Sequence, residues 1–366
     1  MTSLRSLIGV LVALALLAAA CSSDDASDDS ASQTAGADAG AAASASATDE
    51  DGAVGEDPSD SEASGATRTV THPLGEVVLP AQPQRWVALD EGAAMILLEL
   101  GVTPVETFSQ GLVAAGDVLE SEGITVTPNP AGLAGLNFEA VAEAEPDAII
   151  ASFDGAVEPI YDELNAIAPT VVLPFEGTWQ SMFRESAVMV GAEAEAEPAI
   201  AALEARTAEV ASLDGDDLTI STLGAFGSLF FTQSSNTPID QVLNDAGVTR
   251  PPAQAESVPD PTLGYGTLLS EEVLPEHDAD LLLLFSGAFY DSSVLTELPV
   301  YNALGAVQDD RVVEVDGEMW FVGYPFTVSW VLDDLEILLA GGTDVASRDD
   351  VLTRWADYRA SVEAAG

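Results

Sequence analysis

The sequence predicts an α/β fold: two Rossmann-like lobes with parallel sheets, joined by a single long helix, with a ligand cleft between them. Three observations predict it. Short apolar runs suited to buried strands alternate with helix-like segments through residues 85–174, and again through 218–364. An Ala-, Glu- and Leu-rich stretch, residues 191–213, stands between the two alternating halves. A cap-forming residue two positions before Glu and ten before Asp, ahead of an apolar strand, occurs once in each half.

The elements follow in order. Residues 1–20 carry one charge, Arg5, then an apolar run from Leu7 to Ala20 broken only by Gly9. That run suits a signal peptide and is shorter than the ~20 residues of a membrane-spanning helix. Ala18-Ala19-Ala20 fits a processing enzyme's narrow cleft, and the single cysteine, Cys21, follows at once. LAAAC resembles a bacterial lipobox, which implies that Cys21 becomes the acylated first residue of a lipoprotein held to the outer face of the cytoplasmic membrane. A lone cysteine forms no intrachain disulfide.

Residues 21–66, beyond the cysteine itself, are nearly all Ala, Ser, Gly, Thr, Asp and Glu, with twelve acids and no aromatic or basic residue. Such a segment buries too little apolar surface to order itself, so it is predicted to be a disordered acidic tether. The whole chain carries a formal charge of −52 and no lysine. This argues against nucleic acid and anionic lipid head groups, which need basic patches.

In the N-terminal lobe, residues 67–190, TRTVTHPLGEVVLP reads as a hairpin around Pro73-Leu74-Gly75. RWVALD, VTPVETFS, DAIIAS and TVVLP read as strands; EGAAMILLELG and VEPIYDELNAIAP read as helices. Residues 191–213 read as the linking helix, about 30 Å long, with Pro198 near its start. In the C-terminal lobe, residues 214–366, LTISTLGAF, ADLLLLFS and RVVEVD are strands, PIDQVLNDAG and VLTELPVYNAL helical, and two helices fill 324–364.

The recurring pattern comprises Asn137, Glu139 and Asp147 in one half, and Ser270, Glu272 and Asp280 in the other. Asn or Ser at a helix start satisfies free backbone amides, and an acid in the first turn complements the helix dipole. Recurrence also sets one carboxylate on equivalent surfaces of both lobes.

LGEVVLPAQPQRWVALDEGAAMILLELGVTPV, NFEAVAEAEPDAII, WQSMFRESAVMVG, LLSEEVLPEHDADLLLLF and DDRVVEVDGEMW, in this order and spacing, resemble the substrate-binding proteins of bacterial ABC importers for ferric siderophores, haem and cobalamin. The resemblance covers residues 67–366 and implies a monomeric receptor, not an enzyme. It implies that Glu139 and Glu272 dock onto arginines of a permease, which works with its ATPase, and that iron arrives inside a siderophore with no covalent cofactor. Charge-assisted Arg–carboxylate bonds suit such docking.

A bulky chelate favours aromatic walls at the carboxyl ends of strands. Trp320, after strand RVVEVD, matches a position where the family often stacks a ligand. Tyr265 and Phe153 follow as candidates, then Tyr324, Trp179 and Phe226, with Arg250 the most plausible basic residue. The stretch GLAGLNFE lacks the Arg that hydroxamate binders usually carry there, and no lysine exists to neutralise an anionic complex. A neutral or cationic ferric chelate fits best; haem, with Tyr265, Tyr290 or Tyr324 as its ligand, or cobalamin are the alternatives.

Two histidines, His72 in the hairpin and His277 at the end of a predicted surface helix, are too few and too distant for a zinc or manganese site. The chain has no Gly-x-Ser-x-Gly elbow, and GYGTLL lacks the third glycine of a dinucleotide fingerprint. A lipid-anchored envelope enzyme or scaffold is the rival class.

Overall fold

The computed structural model describes residues 66–152, 154–213, 218–260 and 264–366. The signal peptide, Cys21, the tether up to residue 65 and Phe153 lie outside the described residues.

The chain enters through an antiparallel hairpin, β1 (Thr67–His72) and β2 (Gly75–Pro80), whose Val70, Val77 and Leu79 are buried. The parallel elements of the N-terminal lobe follow: β3 (Trp86–Ala88), α1 (Glu91–Glu99), β4 (Glu106–Ser109), α2 (Val113–Ser121), β5 (Thr125–Pro128) and α3 (Phe138–Glu143). They continue with β6 (Ala148–Ala151), α4 (Asp154–Val157), α5 (Tyr161–Ile167), β7 (Thr170–Val172) and α6 (Trp179–Val190). The strands form one sheet in the order β5-β4-β3-β6-β7, every pair parallel. All four residues of β6 are buried, as a strand covered by helices on both faces requires. Asp90 caps α1 through the Ala93 amide and also accepts from the Ser152 amide and hydroxyl, tying the ends of β3 and β6 together.

Helix α7 (Glu193–Ala211) is the predicted connector, and its Ala196, Ala199, Ile200, Leu203 and Val210 are buried. It packs against α6 on one side and, on the other, against three helices of the C-terminal lobe: α8 (Pro238–Asp245), α13 (Pro325–Leu339) and α14 (Val351–Ala365). Pro198 is its sixth residue, beyond the first turn, so one i→i−4 bond is missing inside the helix. Packing along its length replaces what that bond would supply. Helix α14 also packs against α2, so the chain crosses back and the lobes are joined twice.

The C-terminal lobe holds a separate five-stranded sheet in the order β10-β9-β8-β11-β12. Its members are β8 (Ile220–Phe226), β9 (Leu229–Gln233), β10 (Gly266–Leu269), β11 (Leu281–Ser286) and β12 (Val312–Asp316). Short helices α9 (Pro252–Ala255), α10 (Ser293–Thr296), α11 (Gly305–Gln308) and α12 (Gly317–Phe321) connect them. Here the expectation of a wholly parallel sheet is corrected: β8, β11 and β12 are parallel, but β9 runs against them and pairs antiparallel with both β8 and β10. The cause is local. Gly227, at φ +57°, permits an immediate reversal after β8, leaving no room for a crossover helix. Gly224 completes the hairpin, because a β-carbon there would stand 2.5 Å from the Phe231 ring packed over it.

The recurring Asp has the same structural task in both lobes. Asp147 accepts from the amides of Gln84 and Arg85, just before β3; Asp280 accepts from the amide and hydroxyl of Thr219, just before β8. Asn137 caps α3 through the Glu139 and Ala140 amides as predicted. Ser270 makes no such bond: its segment, residues 271–277, is a 3₁₀ turn containing Pro275 rather than an α-helix. His277 ends that turn buried, not on the surface.

Candidate functional site

The lobes face one another through loops at strand ends. In the N-terminal lobe these follow β4 and β7. Across from them stand the segment before β10 and helix α12, which follows β12.

After β7 the chain reaches Phe175, whose ring stacks on Tyr265 of the other lobe, centroids 4.4 Å apart and planes 3° from parallel. The Tyr265 hydroxyl donates a long bond, 3.4 Å, to the Phe175 carbonyl. Phe321 at the end of α12 lies 6.3 Å from Tyr265 and 5.5 Å from Phe231, extending the aromatic group into the C-terminal lobe. Burial raises the Tyr265 phenol well above the usual tyrosine range, so it is neutral and serves as a hydrogen-bond donor. Phe289 approaches from the same lobe, 3.4 Å from where a Gly111 β-carbon would stand.

Two buried carboxylates grip the loop between β4 and α2. Glu91 Oε1 accepts from the Ser109 hydroxyl at 2.6 Å and from the Gly111 and Leu112 amides at 2.9 and 2.8 Å. Glu318, from α12 of the other lobe, accepts from the Ala114 amide at 3.0 Å. Burial, with Asp316 close by, pushes the Glu318 carboxyl up to about 7. Farther along the interface, Glu99 accepts from the Phe326 amide, Trp355 donates to Glu122, and Arg348 pairs with Asp117. Gln241 bonds Gln180 across the same interface.

The family model for periplasmic binding proteins matches residues 87–319. The chain belongs to this family. Among its relatives, "Probable siderophore-binding lipoprotein YfiY" of Bacillus subtilis is 29% identical over 306 residues, covering 77% of this chain and 90% of that protein. Two solved structures share the fold. The FhuD protein from S. pseudintermedius superposes with a TM-score of 0.60 at 18% identity, over 75% of this chain and 98% of that one. Staphylococcus aureus SirA complexed with staphyloferrin B gives 0.59 at 22% identity, over 74% and 97%.

In this periplasmic binding protein, Tyr265 stands at the lobe interface, whereas several other predicted wall residues do not. Trp320 is fully enclosed, with its indole nitrogen donating to Asp334 at 2.8 Å. An enclosed ring stacks on nothing from outside without unpacking the core, so its assignment to the cleft is corrected. Successive helical residues point about 100° apart, and α12 therefore turns Trp320 inward and Phe321 toward Tyr265. Trp179 and Tyr324, 2% and 8% exposed, are likewise core residues at the starts of α6 and α13. Phe226 is an exposed residue at the tip of the β8–β9 hairpin.

Arg250 is also corrected. It is buried, pairs with Asp240, and donates to the Gln233 carbonyl and the Gln254 side chain at 2.6 and 3.0 Å. Its charge is committed to holding α8 and α9 together, which leaves none for a bound anion. Glu139 and Glu272 are both exposed, each in the first turn of its element.

Phe175, Phe321, Glu91 and Glu318 are the interface residues that sequence reasoning missed. A signal existed for the aromatics: Phe175 follows a proline at the end of strand TVVLP, and GEMWF sets two aromatics side by side, only one of which can enter the core. No signal marked Glu318, because acids are too abundant here to single one out.

Proposed function

We propose that this chain is the solute-binding component of an ABC importer that captures a ferric siderophore, or a related iron chelate, and delivers it to a permease and its ATPase. The observation that carries the reading is the Phe175–Tyr265 stack: one planar ring from each lobe, meeting at the end of a strand in a fold of this family. Packed together, the two rings form one aromatic wall at the lobe boundary against which a bulky, partly apolar ligand can rest. The siderophore-binding relative and the SirA complex support an iron chelate over haem or cobalamin.

The chelate is neutral or cationic. Arg250 is committed to Asp240 and Arg348 pairs with Asp117, while the charged groups set behind the interlobe loops, Glu91, Glu318 and Asp316, are acids. An anionic complex placed there would be desolvated without compensation. On this reading iron is carried inside its chelate rather than held by the protein directly. Cys21 anchors the protein by lipid to the outer face of the membrane, while Glu139 and Glu272 are the docking handles.

Titration of the purified protein with ferric hydroxamate, ferric catecholate, haem and cobalamin, followed by tryptophan fluorescence, tests this. Stoichiometric binding of one iron chelate, recovered chemically unchanged, is expected. Binding of haem or cobalamin alone moves the assignment within the family, and turnover of any of them overturns the receptor reading. In cells, Glu139→Arg combined with Glu272→Arg abolishes uptake while the purified protein keeps its affinity; lost affinity instead removes those acids from the docking role.

A further inference from the structure

Helix α2 begins bare. Its N-cap residue, Leu112, has no side chain able to accept a bond, and the first turn contains no acid. The amides at this end are satisfied from elsewhere. Gly111 and Leu112 donate to Glu91 of the same lobe. Ala114 donates to Glu318 of the opposite lobe, and Val113 lies within the same bond set.

Glu318 is held stiffly for this purpose. Asp316 accepts from the Glu318 and Met319 amides and so caps α12, while the neighbouring Trp320 is locked into the core through Asp334. A β-carbon on Gly317 would stand 2.5 Å from the Tyr290 ring, so that glycine lets α12 seat against its own lobe.

We propose that Glu318 is an interlobe latch: its carboxyl group closes the bare end of α2 across the gap and fixes the spacing of the loops that face the ligand. The hydrogen bonds it makes exist only while the lobes are together. A separation of a few ångströms breaks them and leaves amides unpaired, so the latch adds a defined cost to opening. Its effect on ligand capture rests on the receptor reading; the latch itself does not.

The latch is also sensitive to pH. Glu318 faces Asp316 at the end of β12, Tyr290 from the segment after β11, Tyr324 at the start of α13, and through Tyr324 the acids Glu91 and Glu99 of α1. Among the described residues, the cation acting on it, Arg348, is shared with Asp117 of α2. Joining the lobes thus takes a carboxyl that already stands beside Asp316 away from water, which favours the proton-bearing form; the Val113 and Ala114 amides work against this, and the net midpoint is raised from 4.5 to about 7. The joined state binds the extra proton. Closure is therefore most favoured below about pH 4.5, and that bias is lost as the pH rises through about 7.

Hydrogen exchange of the ligand-free full chain tests the latch, with rates corrected for the intrinsic effect of pH. Glu318→Ala should speed exchange at the Val113 and Ala114 amides about tenfold, one hydrogen bond's worth. Glu318→Gln, whose amide oxygen still accepts, should restore protection. In the wild type, protection of these amides should fall as the pH passes about 7, and in the Gln variant it should stay level. Unchanged exchange in the Ala variant, or the same pH step in the Gln variant, overturns the proposal. Should the Ala variant fail to fold, the pH comparison between wild type and Gln still decides. Because no ligand is present, failure here leaves the receptor reading standing, and failure of the chelate titration leaves the latch standing.

Discussion

Tyr265 and Phe175, 90 residues apart in sequence, lie face to face at 4.4 Å with each ring supplied by a different lobe. Neither ring is fully buried, so the pair is shaped by the approach of the lobes rather than by either core. Aromatic pairs of this kind contribute about 0.5–1.5 kcal/mol beyond the area they bury.

A chelate packed on Tyr265 makes an aromatic contact of the same order, so Tyr265→Ala should weaken chelate binding by about 2- to 10-fold. Folding stability should fall by about the 0.5–1.5 kcal/mol of the lost ring pair, and Tyr265→Phe should keep most of the affinity. Fluorescence titration against the preferred iron chelate, beside urea unfolding, checks both. A large loss of stability with intact affinity would move the ring into the core.

The adjacent residues Trp320 and Phe321 should separate by readout. Trp320→Ala removes an enclosed ring and one bond to Asp334, which keeps Arg354 and the Ala346 amide, costing about 3–5 kcal/mol in urea unfolding. Phe321→Ala, at a half-buried position near Tyr265, should cost clearly less stability and more ligand affinity.

Arg250→Ala should destabilise the protein by about 3–5 kcal/mol, since it leaves the buried Asp240 without its ion partner. Replacing both partners, Arg250→Met with Asp240→Leu, should recover most of that loss. The affinity of whatever folded protein remains should match the wild type, as isothermal titration would show; a selective loss of chelate binding would return Arg250 to the ligand.

Stability should respond to pH through Glu318 and Asp334, both raised by burial, the first from 4.5 to about 7 and the second from 3.8 to about 6. A carboxyl raised in the folded state binds more protons there than in the unfolded chain. Its contribution is thus greatest below the unfolded value and is lost as the pH climbs through the folded one. Relative to Glu318→Gln, the wild type should lose up to about 3 kcal/mol between pH 4.5 and 7. Chemical denaturation of both proteins at pH 5 and pH 8 measures the difference; a constant gap would mean that Glu318 is ionised throughout.

Much of the fold was legible because its cause is local. Strands such as AIIA and LLLLFS declare themselves by unbroken apolar runs, and the connector by its Ala, Glu and Leu content. The antiparallel β9 and β10 were not legible, since the mixed FFTQ and GTLL segments carry no apolar alternation strong enough to assign them. The repeat recurs in structure at its Asp, which ties the same strand start in each lobe. Its Asp proved structural, and its Ser lacked the bond that Asn137 makes, because Pro275 forces a 3₁₀ turn where the other lobe has a helix.

The sequence by itself determined two α/β halves, the helix between them and the family, since each depends on periodicity and order along the chain. Only the tertiary structure decided which side chains meet between the lobes. Trp320 and Phe321 are neighbours of similar chemistry, and a 100° turn of helix sends one into the core and the other to the gap. Arg250 looks free in sequence until Asp240 is found against it, and Glu318 is one acid among 62 until α2 presents it with unpaired amides. Facing and partnership are relations across the fold, set by how rigid elements pack, and no local pattern encodes them.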